Sequence, residues 1–313
     1  MRVRHLLLAF LTLVLAGSLT LAPSPAQAAF PGKNGRLAFQ RETVAGDHTQ
    51  TDIFTIRSHG SGLTALTSTP DENEFGPAWN RTGTSIAFWR TPAPFGPGSI
   101  WTMNGDGTNQ RRLTTGVDVR DPVWNPAGTR IAFTLVDATG FHLWTMRVAD
   151  GGDRTQVTSG SGLDFEPAWS PDGTRLAFTR GVEQGDPGDV YVIDLTTGAV
   201  RQRTSSPEYD HQVAWSPDGT RIVFERDLAA SSSIYSVNAD GTHLTALTSG
   251  PFFDTGPAFS PDGRYIAFGS DRGGAVLSDL WTMRSDGRHL HRILSSPASE
   301  GFPDWQPLLR GRQ

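Results

Sequence analysis

Acidic residues recur in this chain at one fixed place. Glu74, Asp164, Asp210, Asp254 and Glu300 each stand five residues ahead of a large aromatic residue. The one gap in the series is Val119, which has Asp118 beside it. If symmetry gathers such carboxylates, they form a ring of oxygen ligands that focuses negative potential and holds Ca²⁺ or a basic group of a partner. The competing reading is structural. Arg41, Arg90, Arg180 and Arg226 recur two residues after a repeated Phe, and Arg–carboxylate pairs would occupy the ring and pin blade to blade. A carboxylate at such a place also satisfies local backbone N–H groups.

A second column is uneven. Three residues ahead of the aromatic position stand Asp121, Glu166 and Gln212, where the other repeats have Gly76, Gly256 and Phe302; Arg120 and His211 adjoin it, against Phe75 and Phe165 elsewhere. This predicts a polar crescent on one side of the ring, the first place to expect a ligand. His211 beside Asp210 has the composition of an acid–base pair, although a single His at a loop-to-strand junction is most often a surface hydrogen-bonder. No catalytic residue is assigned. The chain has no Gly-x-Ser-x-Gly elbow, no zinc-type His spacing and no Cys; His289-Leu290-His291 merely alternates along a strand.

The elements that must position these residues follow from an internal repeat. The aromatic position is filled by Trp79, Trp124, Trp169, Trp215, Phe259 and Trp305, at intervals of 44 to 46 residues. Behind it come a Ser-Pro-Asp-Gly turn, as in Ser170 to Gly173, an Ile-Ala-Phe strand, a variable loop, an Ile-Trp-Thr-Met strand (Ile100 to Met103), an Asp-Gly hairpin and a Leu-Thr strand. Pro fixes φ near −65° and Gly supplies the positive φ such turns need. Gly is 35 of 313 residues, above the roughly 7% average, which fits many tight turns. Four short strands per repeat, with no helical periodicity, predict an all-β, six-bladed β-propeller.

Closure sets the blade count. Arg36-Leu37-Ala38-Phe39 has no aromatic strand before it, and Pro303-Asp304-Trp305-Gln306-Pro307 has no Ile-Ala-Phe strand after it. The N- and C-terminal strands are therefore expected to pair in the last blade, which closes the ring. The recurring Trp and Phe residues read as the core between blades.

Trp169-Ser170-Pro171-Asp172-Gly173-Thr174-Arg175-Leu176-Ala177-Phe178 and its counterpart from Trp215 to Phe224 resemble the PD40 repeat, a WD40-like motif of TolB and its relatives; the likeness runs over about 34–307. The resemblance implies a six-bladed, periplasmic or secreted propeller that acts through protein contacts. TolB carries an α/β domain ahead of its propeller; here the closing strand follows directly on a leader-like segment.

That segment begins with Arg2, Arg4 and His5, continues as an apolar run over Leu6 to Ala22, and ends in Ala26-Gln27-Ala28. It reads as a signal peptide over 1–28, cut near Ala28, rather than a retained anchor, with the propeller over 29–313. The net charge of −5 disfavours nucleic acid and anionic membranes as partners. The expectation is a secreted or periplasmic monomer with no stable membrane span after cleavage. It would be a non-enzymatic binding or scaffold protein whose top face and channel mouth engage a protein or a glycan. The alternative is a metal-assisted saccharide lyase or hydrolase at the same mouth.

Overall fold

The computed structural model describes residues 27–45, 48–93, 96–181, 188–274 and 277–309. Residues 1–26, which carry most of the expected leader, lie outside the described residues. Six sheets follow one another along the chain, five of four antiparallel strands and one, in blade 4, with a fifth strand added in parallel. Blade 1 comprises Glu72–Trp79, Ser85–Pro92, Ser99–Asn104 and Arg111–Arg112. Blades 2, 3, 4 and 5 repeat the order, with inner strands Asp118–Trp124, Leu163–Trp169, Tyr209–Trp215 and Asp254–Phe259. The inner strands touch their neighbours in sequence, and the sixth returns to the first, so they line a closed ring. No described residue is helical, and no described helix is long and apolar enough to cross a membrane.

The ring closes as the unmatched half-repeats require. Ser299–Leu308 is the inner strand of blade 6 and pairs antiparallel with Lys33–Ala45, which pairs in turn with His48–Arg57. Between blades 6 and 1, Trp79, Ile86 and Phe88 pack against Ala38 and Ile53. Each interface repeats this wedge of large rings, the apolar burial that holds a disulfide-free chain together.

Turn chemistry explains the repeat's polar letters. In blade 3 the Ser170 hydroxyl donates to Asp172, whose Oδ1 accepts from the Thr174 amide at 3.0 Å, while Gly173 sits at φ 74°. Blades 1 and 2 have Asn80 and Asn125 at the Ser position. Their side-chain carbonyls accept directly from the amides of Thr84 and Thr129, both at 2.9 Å, so the later Asp is dispensable. These turns define the bottom face; the inner strands enter from the top.

Two features were not expected. Every inner strand adopts a left-handed residue three positions before its aromatic, with φ 58°, 55°, 55°, 55°, 58° and 53° at Gly76, Asp121, Glu166, Gln212, Gly256 and Phe302. The cross-strand register shifts across that residue, as a β-bulge does. In addition, Gln27–Ala28 lies parallel to Ala214–Trp215 on the channel side of blade 4. Phe30 then buries in the core with Trp124 and Trp169.

Candidate functional site

The five recurrent carboxylates are fully buried, and each is met by an Arg. Arg180 clasps Asp164 with two hydrogen bonds of 2.6 and 2.8 Å, and Arg226 clasps Asp210 with two of 2.5 and 2.7 Å. Arg41 donates to Glu300 at 2.9 Å, and Arg90 Nε lies 2.8 Å from Glu74 Oε1. In four blades the partners are directly opposed on the first and second strands, so each pair ties strand to strand within a blade rather than blade to blade. Asp254 instead takes Arg272, because Ser270 occupies the opposed position and itself donates to Asp254.

Each guanidinium also lies over an aromatic ring: Arg41 over Phe54, Arg90 over Trp101, Arg180 over Tyr191, Arg226 over Tyr235 and Arg272 over Phe252, with centroid distances between 4.3 and 5.2 Å. Cation–π attraction in all five modules and bidentate hydrogen bonding at Asp164, Asp210 and Asp254 offset the buried charge, whereas Glu74 and Glu300 rest on ion pairing with Arg90 and Arg41. In blade 2 the module is apolar, with Val119 opposite Leu135. Glu74 is pushed up to about 8 by burial, against the pull of Arg90 and with the help of the nearby Asp52 carboxylate. Burial also raises Glu300, while its contacts with Ser296 and Arg41 act against the rise.

The crescent is built differently. At the bulges, a residue of the preceding blade accepts the left-handed residue's amide. Gln212 N–H donates to Glu166 Oε2 at 2.7 Å, Gly256 N–H to Glu225 Oε2 at 3.2 Å, Gly76 N–H to Gln40 Oε1 at 3.2 Å, and Glu166 N–H to Thr134 Oγ1 at 3.2 Å. Thr134 and Thr179 donate their hydroxyls to Asp121 Oδ2 and Glu166 Oε2. That relay uses one oxygen of each acid. Asp121 Oδ1, Glu166 Oε1 and Gln212 Oε1 remain buried without a hydrogen-bond partner among the described residues. Burial pushes the Asp121 carboxyl up to about 6 and that of Glu166 to about 7. Buried acceptors left open are costly, and these three also hold non-glycine residues in a conformation that Gly76 and Gly256 adopt freely.

His211 does not meet Asp210, its neighbour in sequence. Alternation along the strand sends them to opposite faces, Asp210 to Arg226 and His211 to Glu225, its cross-strand partner. The imidazole stacks on Tyr209 at 4.6 Å, with Nε2 3.7 Å from Glu225 Oε1 and 3.4 Å from Asp227 Oδ1. Burial alone would lower His211; the carboxylates of Glu225, Asp227 and Glu166 outweigh it and raise the imidazole to about 9. Arg120 stands apart from the group. It turns to Asp118 at 3.2 Å and lies 5.7 Å over the Trp89 ring of blade 1. Sequence reasoning missed Glu225 and Asp227. The available signal was Glu225 directly after Phe224, where the other blades have the uncharged Gln40, Trp89, Thr134, Thr179 and Gly269.

The chain matches the family model described as "PD40: TolB beta propeller domain" over residues 97–246 and 183–308, well over half its length. By sequence, no curated protein matches it. Among solved structures, TolB from Acinetobacter baumannii is similar at 22% identity and TM-score 0.75, over 89% of this chain and 68% of that one. Putative TolB from Agrobacterium tumefaciens is similar at 18% identity and TM-score 0.66, over 89% and 92%. An oligogalacturonate lyase in complex with manganese aligns at 15% identity and TM-score 0.55, over 85% and 75%. These structural likenesses speak to the fold.

Proposed function

The chain belongs to the TolB β-propeller family, and on that premise we propose that it is an exported, non-enzymatic binding protein that receives a segment of a partner protein at its channel mouth, on the side of blades 2 to 4. One observation carries this reading: three buried acceptors, Asp121 Oδ1, Glu166 Oε1 and Gln212 Oε1, lie unpartnered on neighbouring left-handed bulges. Acceptors without donors call for a ligand rich in N–H groups, such as a Lys or Arg side chain or exposed peptide amides. The paired acids of the outer ring serve to hold the mouth rigid. Export rests on the leader-like residues up to Ala28 and localisation follows from it.

Replacing Asp121, Glu166 and Gln212 together by Gly reproduces the bulge residue of blades 1 and 5 and removes the acceptors. A partner captured from native envelope or culture supernatant by the wild-type protein and lost by this variant supports the reading. A partner retained equally by both refutes it.

A second reading is a metal-assisted saccharide lyase or hydrolase, and the His211, Glu225 and Asp227 group favours it. Polysaccharide cleavage by the wild-type protein that is lost on His211→Gln and on Asp227→Asn would establish it; unchanged products would remove it.

A further inference from the structure

We propose that His211, Glu225 and Asp227 form a site for one divalent transition-metal ion on the top face of blade 4. One ligand atom from each lies within 4.8 Å of the other two. The separations of His211 Nε2 from Glu225 Oε1 and Asp227 Oδ1, 3.7 and 3.4 Å, exceed those of a good hydrogen bond. They match the spacing of roughly 3.4 Å between ligands bound at about 2.1 Å to a tetrahedral ion.

Two further observations point to a ligand. His211 is only 9% exposed, yet its Nε2 has no hydrogen-bond partner among the described residues. The charge is also unbalanced. Every acid of the five-membered ring has its Arg, whereas no Arg or Lys pairs with Glu225 or Asp227 among the described residues. Glu166 adds a third carboxylate beside the same imidazole. Protonated, the imidazole sets one positive charge against these three carboxylates; a divalent cation binding in place of that proton supplies two.

The supports around the group are those a metal site uses. Glu225 is oriented by the Gly256 amide through its other oxygen, and the His211 ring is fixed by stacking on Tyr209. Asp227 is half exposed, which leaves coordination positions open to solvent or to a partner's donor atom. One imidazole and two carboxylates suit Zn²⁺ or Mn²⁺, whereas Ca²⁺ takes an all-oxygen shell. The site is thus distinct from the acidic ring, whose oxygens already face guanidinium groups. Its three ligand residues are not those of the partner-binding reading, with which it shares only the nearby charge of Glu166.

The test is titration of the purified, chelator-treated protein with Zn²⁺, Mn²⁺ and Ca²⁺ by calorimetry, with Co²⁺ absorption as a report on coordination. One Zn²⁺ or Mn²⁺ per chain is expected, with Ca²⁺ bound at least tenfold more weakly. Asp227→Asn, at a half-exposed position that leaves the fold intact, is expected to weaken binding tenfold or more, as is His211→Gln, with loss of the Co²⁺ bands. Asp121→Gly, which removes a crescent acceptor and leaves Glu166 beside the imidazole, is expected to bind metal as the wild type does, so failure of the metal site and failure of partner binding are read separately. No Zn²⁺ or Mn²⁺ binding, a preference for Ca²⁺, or equal affinity in the Asp227→Asn protein would overturn the proposal.

Discussion

Replacing Arg180 by Leu isolates what the carboxylate–guanidinium modules do. Asp164 is fully buried and receives two short hydrogen bonds from Arg180. Removing the cation leaves a desolvated charge with nothing to balance it, a change that typically costs about 3–5 kcal/mol. At this chain length that corresponds to a fall of about 5–10 °C in Tm. Blade 2 supplies the compensating change, since Val119 and Leu135 occupy the same opposed positions. Transplanting them as Asp164→Val with Arg180→Leu removes both charges together, and buried ion pairs exchanged for apolar pairs are commonly neutral or better. The double variant is therefore expected within about 1 kcal/mol of wild type, well above the single variant. Thermal and urea unfolding followed by tryptophan fluorescence give both numbers. A stable Arg180→Leu protein, or a double variant no better than it, would refute the view that Arg180 is there to balance a buried charge.

Glu74, whose pKa is raised to about 8 by burial and by Asp52, binds a proton more tightly folded than unfolded, where its value is about 4.3. Stability from this group is full below about pH 4.3 and falls as pH rises through 8. Glu74→Gln mimics the protonated form, so its Tm advantage over wild type should grow from pH 5 to pH 8; a pH-independent difference contradicts the assignment. Asp172→Ala removes the acceptor for the Thr174 amide and the Ser170 hydroxyl and should cost about 1 kcal/mol in urea unfolding, whereas no change would mean the turn is held by Pro171 and Gly173 alone. The triple glycine crescent variant relieves three strained backbones and removes two buried carboxylates, which offsets the loss of the acceptors for the position-212 amide and the Thr134 and Thr179 hydroxyls, so its Tm should fall by no more than a few degrees even as partner capture is lost; a larger drop would make the crescent a structural device.

The fold was legible because each blade repeats the same physical solution. The aromatic column, the Pro-Asp-Gly turns and the two unmatched half-repeats are local patterns that survive in sequence. The acidic column was equally visible, and four of its Arg partners could be read from cross-strand register. Arg272 could not, because Ser270 takes the opposed place and the Arg reaches back from two residues further along. The union of His211 with Glu225 and Asp227 depends on a bulge that shifts register between His211 and Ala214. Its left-handed residue is Gln212 in this blade, and nothing in Gln212 itself announces a positive φ. The same bulges explain why Asp121, Glu166 and Gln212 belong together, while Arg120, one position earlier, points to a different neighbour.

Site-specific photo-cross-linking tests the central claim most directly. A photoreactive residue at Arg120, on the top face beside the crescent, is compared with one at the exposed Thr174 in a bottom-face turn, each incubated with native envelope and culture supernatant. The account predicts one discrete cross-linked protein from position 120, none from position 174, and loss of the product in the triple glycine variant. Cross-linking from position 174 alone, or a product from position 120 that persists in the glycine variant, would contradict it.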